Sequence, residues 1–354
     1  VSQLINKILL VQTGFLGDLI LSTPVISALK KLYPDAKIDI LCTKEGAPLV
    51  RTHPLVSNVL VFDKRVKDAG IRGLFSRAGE IRGNAYDSVF SLHKSYRTAL
   101  LLFLSRVPLR YGFKEAAFSF LYTSTAPRKD LSHEVLRNLA ILRNLNLNPS
   151  EYEVPMSIGI PSEFNEKTKE SVKDLTKPYI AIAPGSVWKT KRWTKEGFAR
   201  LSAELIDRGF GVVLIGGPGD SDTGDFIDAE LKKSYQSGKD YINTIGSIDL
   251  ISSASLISSS ELVITNDSAP LHIGSAVGTP VVALFCATVP EQGFGPWMVS
   301  HRIVEKKELS CRPCGRHGSQ KCPLGTDECQ KSITVPEVLF AVDSLLQERK
   351  ARLS

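Results

Sequence analysis

Short apolar runs bounded by Gly, Pro and Asp alternate along the chain with longer stretches in which apolar residues recur every three or four positions. The runs predict buried strands and the longer stretches predict amphipathic helices. In the first half, strands are expected at Ile8–Gln12, Lys37–Cys42, Asn58–Phe62 and Asp87–Leu92. Helices are expected at Leu19–Tyr33, Glu45–Thr52, Ile71–Arg82, Tyr96–Leu104 and Glu134–Asn144. The second half repeats the scheme, with strands at Tyr179–Ala183, Val212–Gly216, Asn243–Ile245, Leu262–Thr265 and Val281–Phe285. Its helices are expected at Lys195–Arg208, Asp222–Lys233, Leu250–Ser258, Pro270–Ala276 and Val335–Lys350. Such alternation predicts an α/β chain with two parallel sheets and right-handed crossovers. The stretch 146–177, with Pro149, Pro155 and Pro161 among many charges, is expected to be the connection. Domains are therefore expected at 1–160 and 161–334, facing across one deep cleft, with a last helix in 335–354 packing back on the first domain.

Composition adds the class of the protein. The chain has 354 residues, 43% apolar and 23% charged, which exceeds a single typical core and fits two domains. Runs such as Ala99–Leu104 and Val281–Ala287 are too short to span a bilayer. The opening VSQLINKILLVQTG passes directly into a strand and lacks the layout of a signal peptide, so a cytoplasmic location is expected. The net charge of +7 is uneven: ten Lys/Arg lie between Lys64 and Arg110, against Asp68, Glu80 and Asp87. A basic stretch of this kind suits a phosphorylated or membrane-embedded anionic substrate. No helix-turn-helix, zinc-finger or RNP pattern accompanies it, which argues against a nucleic-acid partner.

Three strand ends could carry chemistry. The first strand runs into Thr13-Gly14-Phe15-Leu16-Gly17-Asp18, where Gly14 and Gly17 permit a tight turn but the third glycine of a dinucleotide loop is missing. An acidic residue there disfavours phosphate. Asp18 can serve a substrate hydroxyl as a base, or simply cap the helix. Ala183-Pro184-Gly185-Ser186 is followed by Lys189, Lys191 and Arg192 between two tryptophans, a composition suited to a diphosphate. Gly216-Gly217-Pro218-Gly219-Asp220 offers either a carboxylate for ribose hydroxyls or a plain capped turn. Most informative is LVITNDSAPLHIGSAVG (262–278), a strand entering a helix through Asn266, Asp267 and Ser268. Free N–H groups and the helix dipole make such a terminus an anion site. Asp267 is expected to cap it, and His272 to share a side with Ser268, or else to be a half-buried core histidine. Cys311, Cys314, Cys322 and Cys329 form a late cluster whose spacing leaves open a structural zinc site, free thiols or a disulfide pair.

The segments GDLILSTPVISALKKLYP, APGSVWKTKRWTKEGFA, GGPGDSD and TNDSAPLHIGSAVGTPVVALF occur in an order that resembles the family-nine glycosyltransferases. These are the ADP-heptose:lipopolysaccharide heptosyltransferases, and the likeness leans to the heptosyltransferase II branch. CRPCGRHGSQKCPLGTDEC is similar to an insertion found in some members. The resemblance implies the GT-B architecture of two Rossmann-like domains, with acceptor on the first and nucleotide sugar on the second. It implies no required cofactor and no catalytic metal. It implies that Asp18 deprotonates the acceptor hydroxyl, that Lys191 binds donor phosphate and that Asp220 contacts the nucleoside. Asp267 would then hold sugar hydroxyls, while Ser186 and the Ser268 and Ala269 amides receive the diphosphate beside His272. Ala269-Pro270 departs from the family's usual glycine and removes one backbone donor.

The implied reaction is an inverting transfer of heptose from ADP-heptose to the lipopolysaccharide inner core. Its acceptor would be a lipid A–core glycolipid in the inner face of the cytoplasmic membrane, where the enzyme would act peripherally. Gly14, Gly17, Lys64, Arg65, Lys94 and Arg97 are the expected acceptor contacts. The alternatives are a family-nine enzyme with another donor or acceptor, a sugar-nucleotide epimerase, and a two-lobed sugar-nucleotide-binding protein without chemistry.

Overall fold

The computed structural model describes residues 5–64, 66, 68–175 and 177–353. Arg65, one of the expected acceptor contacts, lies outside them. The chain divides between Gly159 and Ile160 into two compact units.

The first unit is built on β1 (Lys7–Gln12), β2 (Lys37–Cys42), β3 (Asn58–Val61), β4 (Ser88–Ser91), β5 (Leu109–Phe113) and β6 (Ser124–Ala126). All pair in parallel, in the order β3-β2-β1-β4-β5-β6. The interior of β1, Ile8 to Val11, is buried on both faces, as a central parallel strand covered by helices must be. Each such side chain contributes about 1.5–3 kcal/mol by leaving water.

The second unit contains β7 (Tyr179–Ala183), β8 (Gly211–Leu214), β9 (Tyr241–Asn243), β10 (Val263–Asn266), β11 (Val281–Phe285) and β12 (His301–Glu305). These are also parallel, in the order β12-β11-β10-β7-β8-β9. Two parallel six-stranded α/β units are the fold class expected from the alternation.

Four expectations need correction. The apolar stretch Leu19–Tyr33 is two helices, Leu16–Ile20 and Thr23–Leu32, because Pro24 has no N–H to continue the first. The hydroxyls of Ser22 and Thr23 instead donate to the Leu19 and Ile20 carbonyls, at 2.6 and 2.8 Å. Second, β5, β6 and β12 were not foreseen; they are short, and Arg110, Gly112, Ser124 and Arg302 break any apolar run. Third, the stretch 146–177 is not all connection. It holds the helix Ser162–Ser171, whose Asn165 side chain accepts the Ser255 hydroxyl at 3.0 Å. Fourth, the helix Val335–Leu353 belongs to the second unit rather than the first. Val338, Leu339, Ala341, Val342 and Leu345 share a core with Ile180, Trp193 and Phe198, and Asp343 pairs with Arg208 at 2.9 Å.

Candidate active site

In each sheet the strand order reverses beside the first strand, between β1 and β4 and between β7 and β10. Ligands of open α/β sheets bind at the carboxyl ends of strands at such switch points. Both units place their unusual polar residues there.

In the first unit, β1 ends at Gln12, and Asp18 sits in the first turn of the helix Leu16–Ile20. Asp18 Oδ2 accepts the Phe15 N–H at 3.0 Å, so the carboxylate does cap the helix. A Cβ on Gly14 would lie 2.7 Å from that same oxygen, which is why only glycine leaves the carboxylate its place. Burial, reinforced by the Glu134 carboxylate, raises the Asp18 pKa above the usual range. The Phe15 N–H and the charges of Arg128 and Lys94 oppose that shift. A carboxyl made more basic in this way is suited to general-base work.

Lys64 donates to the Thr13 carbonyl at 2.7 Å, in the turn that leads to Asp18. Burial and the nearby Arg97 charge lower the Lys64 pKa. Arg97 directs its guanidinium to the carbonyls of Asp68 and Gly70, the latter at 3.1 Å, tying two helices together. Gly17 accepts the Leu21 N–H at 2.9 Å and has its place within the helix. Gly14, Asp18, Lys64 and Lys94 are thus gathered, while Arg97 is held by the backbone beside them.

Three residues here escaped the sequence reading. His93, after β4, meets the Thr13 hydroxyl at 3.0 Å and that of Thr98 at 2.8 Å. Burial and the charges of Lys64 and Lys94 bring its pKa down to about 4, so it is neutral. Arg128 and Glu134 form a buried ion pair at 2.5 Å whose two charges act on Asp18 in opposite senses. They stand over a hundred residues from Asp18 in sequence, and only the folded chain brings their charges to bear on it.

In the second unit the turns after β7, β8 and β10 converge. Asn266, wholly buried at the end of β10, donates to the Pro184 carbonyl at 2.7 Å and accepts the Trp193 N–H at 2.9 Å. It therefore fixes the β7 turn against β10. Asp267 was expected to cap the next helix, but the N-cap of Ala269–Val277 is Ser268. The Asp267 carboxylate instead meets Lys191 Nζ at 2.6 Å and accepts the Thr288 hydroxyl at 2.6 Å. Ser268 stands 3.4 Å from the Thr265 hydroxyl, Ala269 opens the helix, and His272 is buried one turn in.

Asp220 accepts the Gly217 N–H at 3.1 Å and lies 3.6 Å from Arg192, whose Nε donates to the Ser186 carbonyl at 2.7 Å. A Cβ on Gly185 would collide with the Asp220 carboxylate, so the β7 and β8 turns meet at a point only glycine allows. Lys191, Asp267, Ser268, Ala269 and His272 form one group, and Ser186 and Asp220 a second joined through Arg192. Trp193 lines neither; it is a core anchor whose Nε1 donates to the Ile333 carbonyl at 3.0 Å.

The cysteine segment braces this site from outside. Thr190 and Ser319 exchange hydrogen bonds of 2.8 to 3.1 Å next to Lys191. The Arg312 guanidinium donates to the Thr288 carbonyl at 2.6 Å and pairs with Glu305 at 3.0 Å. Cys311, Cys314, Cys322 and Cys329 are free thiols, Cys314 donating to the Cys311 carbonyl at 3.3 Å. Among the described residues no three His, Cys, Asp or Glu are arranged to hold a metal ion.

Residues 75–324 match glycosyltransferase family 9, the heptosyltransferase family. The chain belongs to that family. Lipopolysaccharide heptosyltransferase 3 of Escherichia coli K12 is 31% identical over 281 residues, 77% of this chain and 80% of that relative. A family-nine glycosyltransferase from Veillonella parvula DSM 2008 superposes with a TM-score of 0.85 at 24% identity, covering 98% of this chain and 99% of that one. Escherichia coli ADP-heptose lipopolysaccharide heptosyltransferase II gives 0.80 at 23% identity, with 97% and 99% covered. These two structures share the fold of two parallel α/β units, the GT-B class. The protein is a glycosyltransferase. Among its described residues no helix is long and apolar enough to cross a membrane.

Proposed function

We propose that the chain transfers heptose from ADP-heptose to a lipid A–core acceptor with inversion at the anomeric carbon, in the manner of heptosyltransferase II. One observation carries the proposal. A carboxylate with a raised pKa stands at the switch point of the first sheet, and a lysine stands beside a helix N-terminus at the switch point of the second. Asp18 takes the proton of the acceptor hydroxyl as its oxygen attacks the anomeric carbon. The bond to the ADP oxygen breaks on the opposite side, and its electron pair leaves with the diphosphate. Lys191 and the first N–H groups of Ala269–Val277 meet that growing negative charge, so the reaction runs without a metal. Asp267, oriented by Thr288 and Lys191, holds donor hydroxyls. Asp220 meets the nucleoside and Ser186 the diphosphate. Lys64 and Lys94 beside Asp18 receive acceptor phosphate or carboxylate groups, and the enzyme works peripherally on the cytoplasmic face of the inner membrane.

The test is ADP release from ADP-heptose with and without a heptose-bearing lipid A–core acceptor, with the glycolipid product followed by mass spectrometry. Acceptor-dependent release with a matching gain of one heptose on the glycolipid is expected. Release without acceptor, or no release with either, overturns the proposal.

A further inference from the structure

The helix Tyr96–Leu104 reads YRTALLLFL and carries one charge, Arg97. Thr98, Ala99, Leu101 and Leu102 bury its inner side. On its outer side Tyr96, Leu100 and Phe103 follow the i, i+4, i+7 spacing of a single stripe, and Tyr96 is 59% exposed. A helix apolar all round is expected to be covered on every side; here Leu100 is half-buried against the core while Tyr96 and Phe103 stand exposed.

The stripe continues into the short turn Ser119–Leu121. The Tyr96 and Phe118 rings lie 6.0 Å apart, and those of Phe118 and Phe120 5.7 Å apart. Phe120 is 79% exposed, and Phe118 has a φ of 60°, a backbone geometry bulky residues rarely adopt. Arg110 closes the surface: its guanidinium covers the Phe103 ring at 5.8 Å, and its Nε donates to the Leu121 carbonyl at 3.1 Å.

The surroundings are basic. From residue 88 to residue 129 there are seven Lys or Arg and one acid, Glu115. Glu115 is itself engaged by the N–H groups of Arg128 and Lys129, at 3.1 and 3.3 Å. Arg106 and Lys114 are exposed at the rim. A protruding aromatic cluster ringed by cations is the chemistry of an anionic lipid surface: rings enter the headgroup boundary and cations meet its phosphates.

We infer that Tyr96, Phe103, Phe118 and Phe120 form the face by which the protein docks on an anionic bilayer. The inference rests on the proposed lipid-anchored acceptor and says where that acceptor arrives. The Ala117 N–H donates to the Lys94 carbonyl at 3.0 Å, and the Lys94 charge acts on Asp18. The docking face therefore borders the turn that carries the base, and the sugar reaches Asp18 while its lipid stays in the membrane.

The test is co-sedimentation of the full chain with phosphatidylethanolamine–phosphatidylglycerol vesicles and with pure phosphatidylcholine vesicles, without donor. The chain should pellet with the anionic vesicles and be released by salt. Phe103→Ser with Phe120→Ser should weaken that binding about tenfold or more. Arg106→Asn with Lys114→Gln should weaken it and flatten its salt dependence, and Phe340→Ser in the second unit should leave it unchanged. Because loss of binding can also reflect misfolding, Phe120→Trp supplies a gain of signal: its emission should shift to the blue and be quenched by brominated lipid. The paired serine variant should keep full transfer to a delipidated core acceptor. The inference is overturned if the chain does not pellet, if the paired variant binds like the original, or if that pair only converts a dimer to a monomer. Vesicle binding without any transfer would instead sink the proposed reaction and leave the docking face standing.

Discussion

Asp18 and Asp267 each follow a strand that borders the point where its sheet reverses order, Asp18 in the first turn of the next helix and Asp267 directly at the strand end. Their surroundings are opposite. Asp18 caps its own helix through one backbone N–H, and its neighbourhood of partial burial and Glu134 disfavours the charge. Asp267 is held by a direct lysine ion pair and a hydroxyl. In the proposed reaction the first carboxylate accepts a proton and the second is a fixed ligand. Position in an α/β sheet marks where chemistry happens, and the immediate partners decide which chemistry.

The sharpest way to break this contrast is to strip Asp267 of its cation. Lys191 and Asp267 have side chains only 12% and 4% exposed, so Lys191→Met leaves a buried charge without its partner. The loss should be about 3–5 kcal/mol of stability in urea unfolding, with a raised donor KM. Adding Asp267→Asn should restore much of the stability and none of the donor affinity. Recovery of both would show that the pair is structural alone.

A smaller effect is expected at Gly14. The Gly14→Ala methyl would press on Asp18 Oδ2, and displacing a catalytic group by about 1 Å can cost up to roughly 10² in rate. Turnover should fall while the donor KM is unchanged; an unaltered kcat would place the acting group elsewhere.

The mildest change concerns pH. Glu134 helps raise the Asp18 pKa, so Glu134→Gln removes a negative neighbour and stabilises the Asp18 carboxylate. The acidic limb of the kcat/KM profile should move to lower pH. A limb that stays in place, or moves upward, would detach it from Asp18.

The helices and central strands were legible because they obey simple periods: Lys37–Cys42, Tyr96–Leu104, Leu250–Ser258 and Val281–Phe285 lie where the pattern puts them. What the pattern missed lies at or next to sheet edges, where β5, β6 and β12 need only half an apolar face and borrow their order from a neighbour. The individual residues proposed to meet the donor were visible as polar breaks at strand ends. Their partnerships were not, since the Lys191–Asp267 pair and the Asp220–Gly185 contact depend on how turns from different strands meet. The same holds for Arg128 and Glu134, which come to Asp18 from the far edge of the sheet.

The most direct test of the contrast between the two aspartates is a paired measurement on Asp18→Asn: turnover with the lipid A–core acceptor, and ADP affinity by calorimetry. Loss of the base should lower kcat by about 10²–10⁴ and leave the ADP Kd unchanged. Near-normal turnover, or an ADP affinity that falls in step with it, would contradict the assignment of proton transfer to the first unit and nucleotide binding to the second.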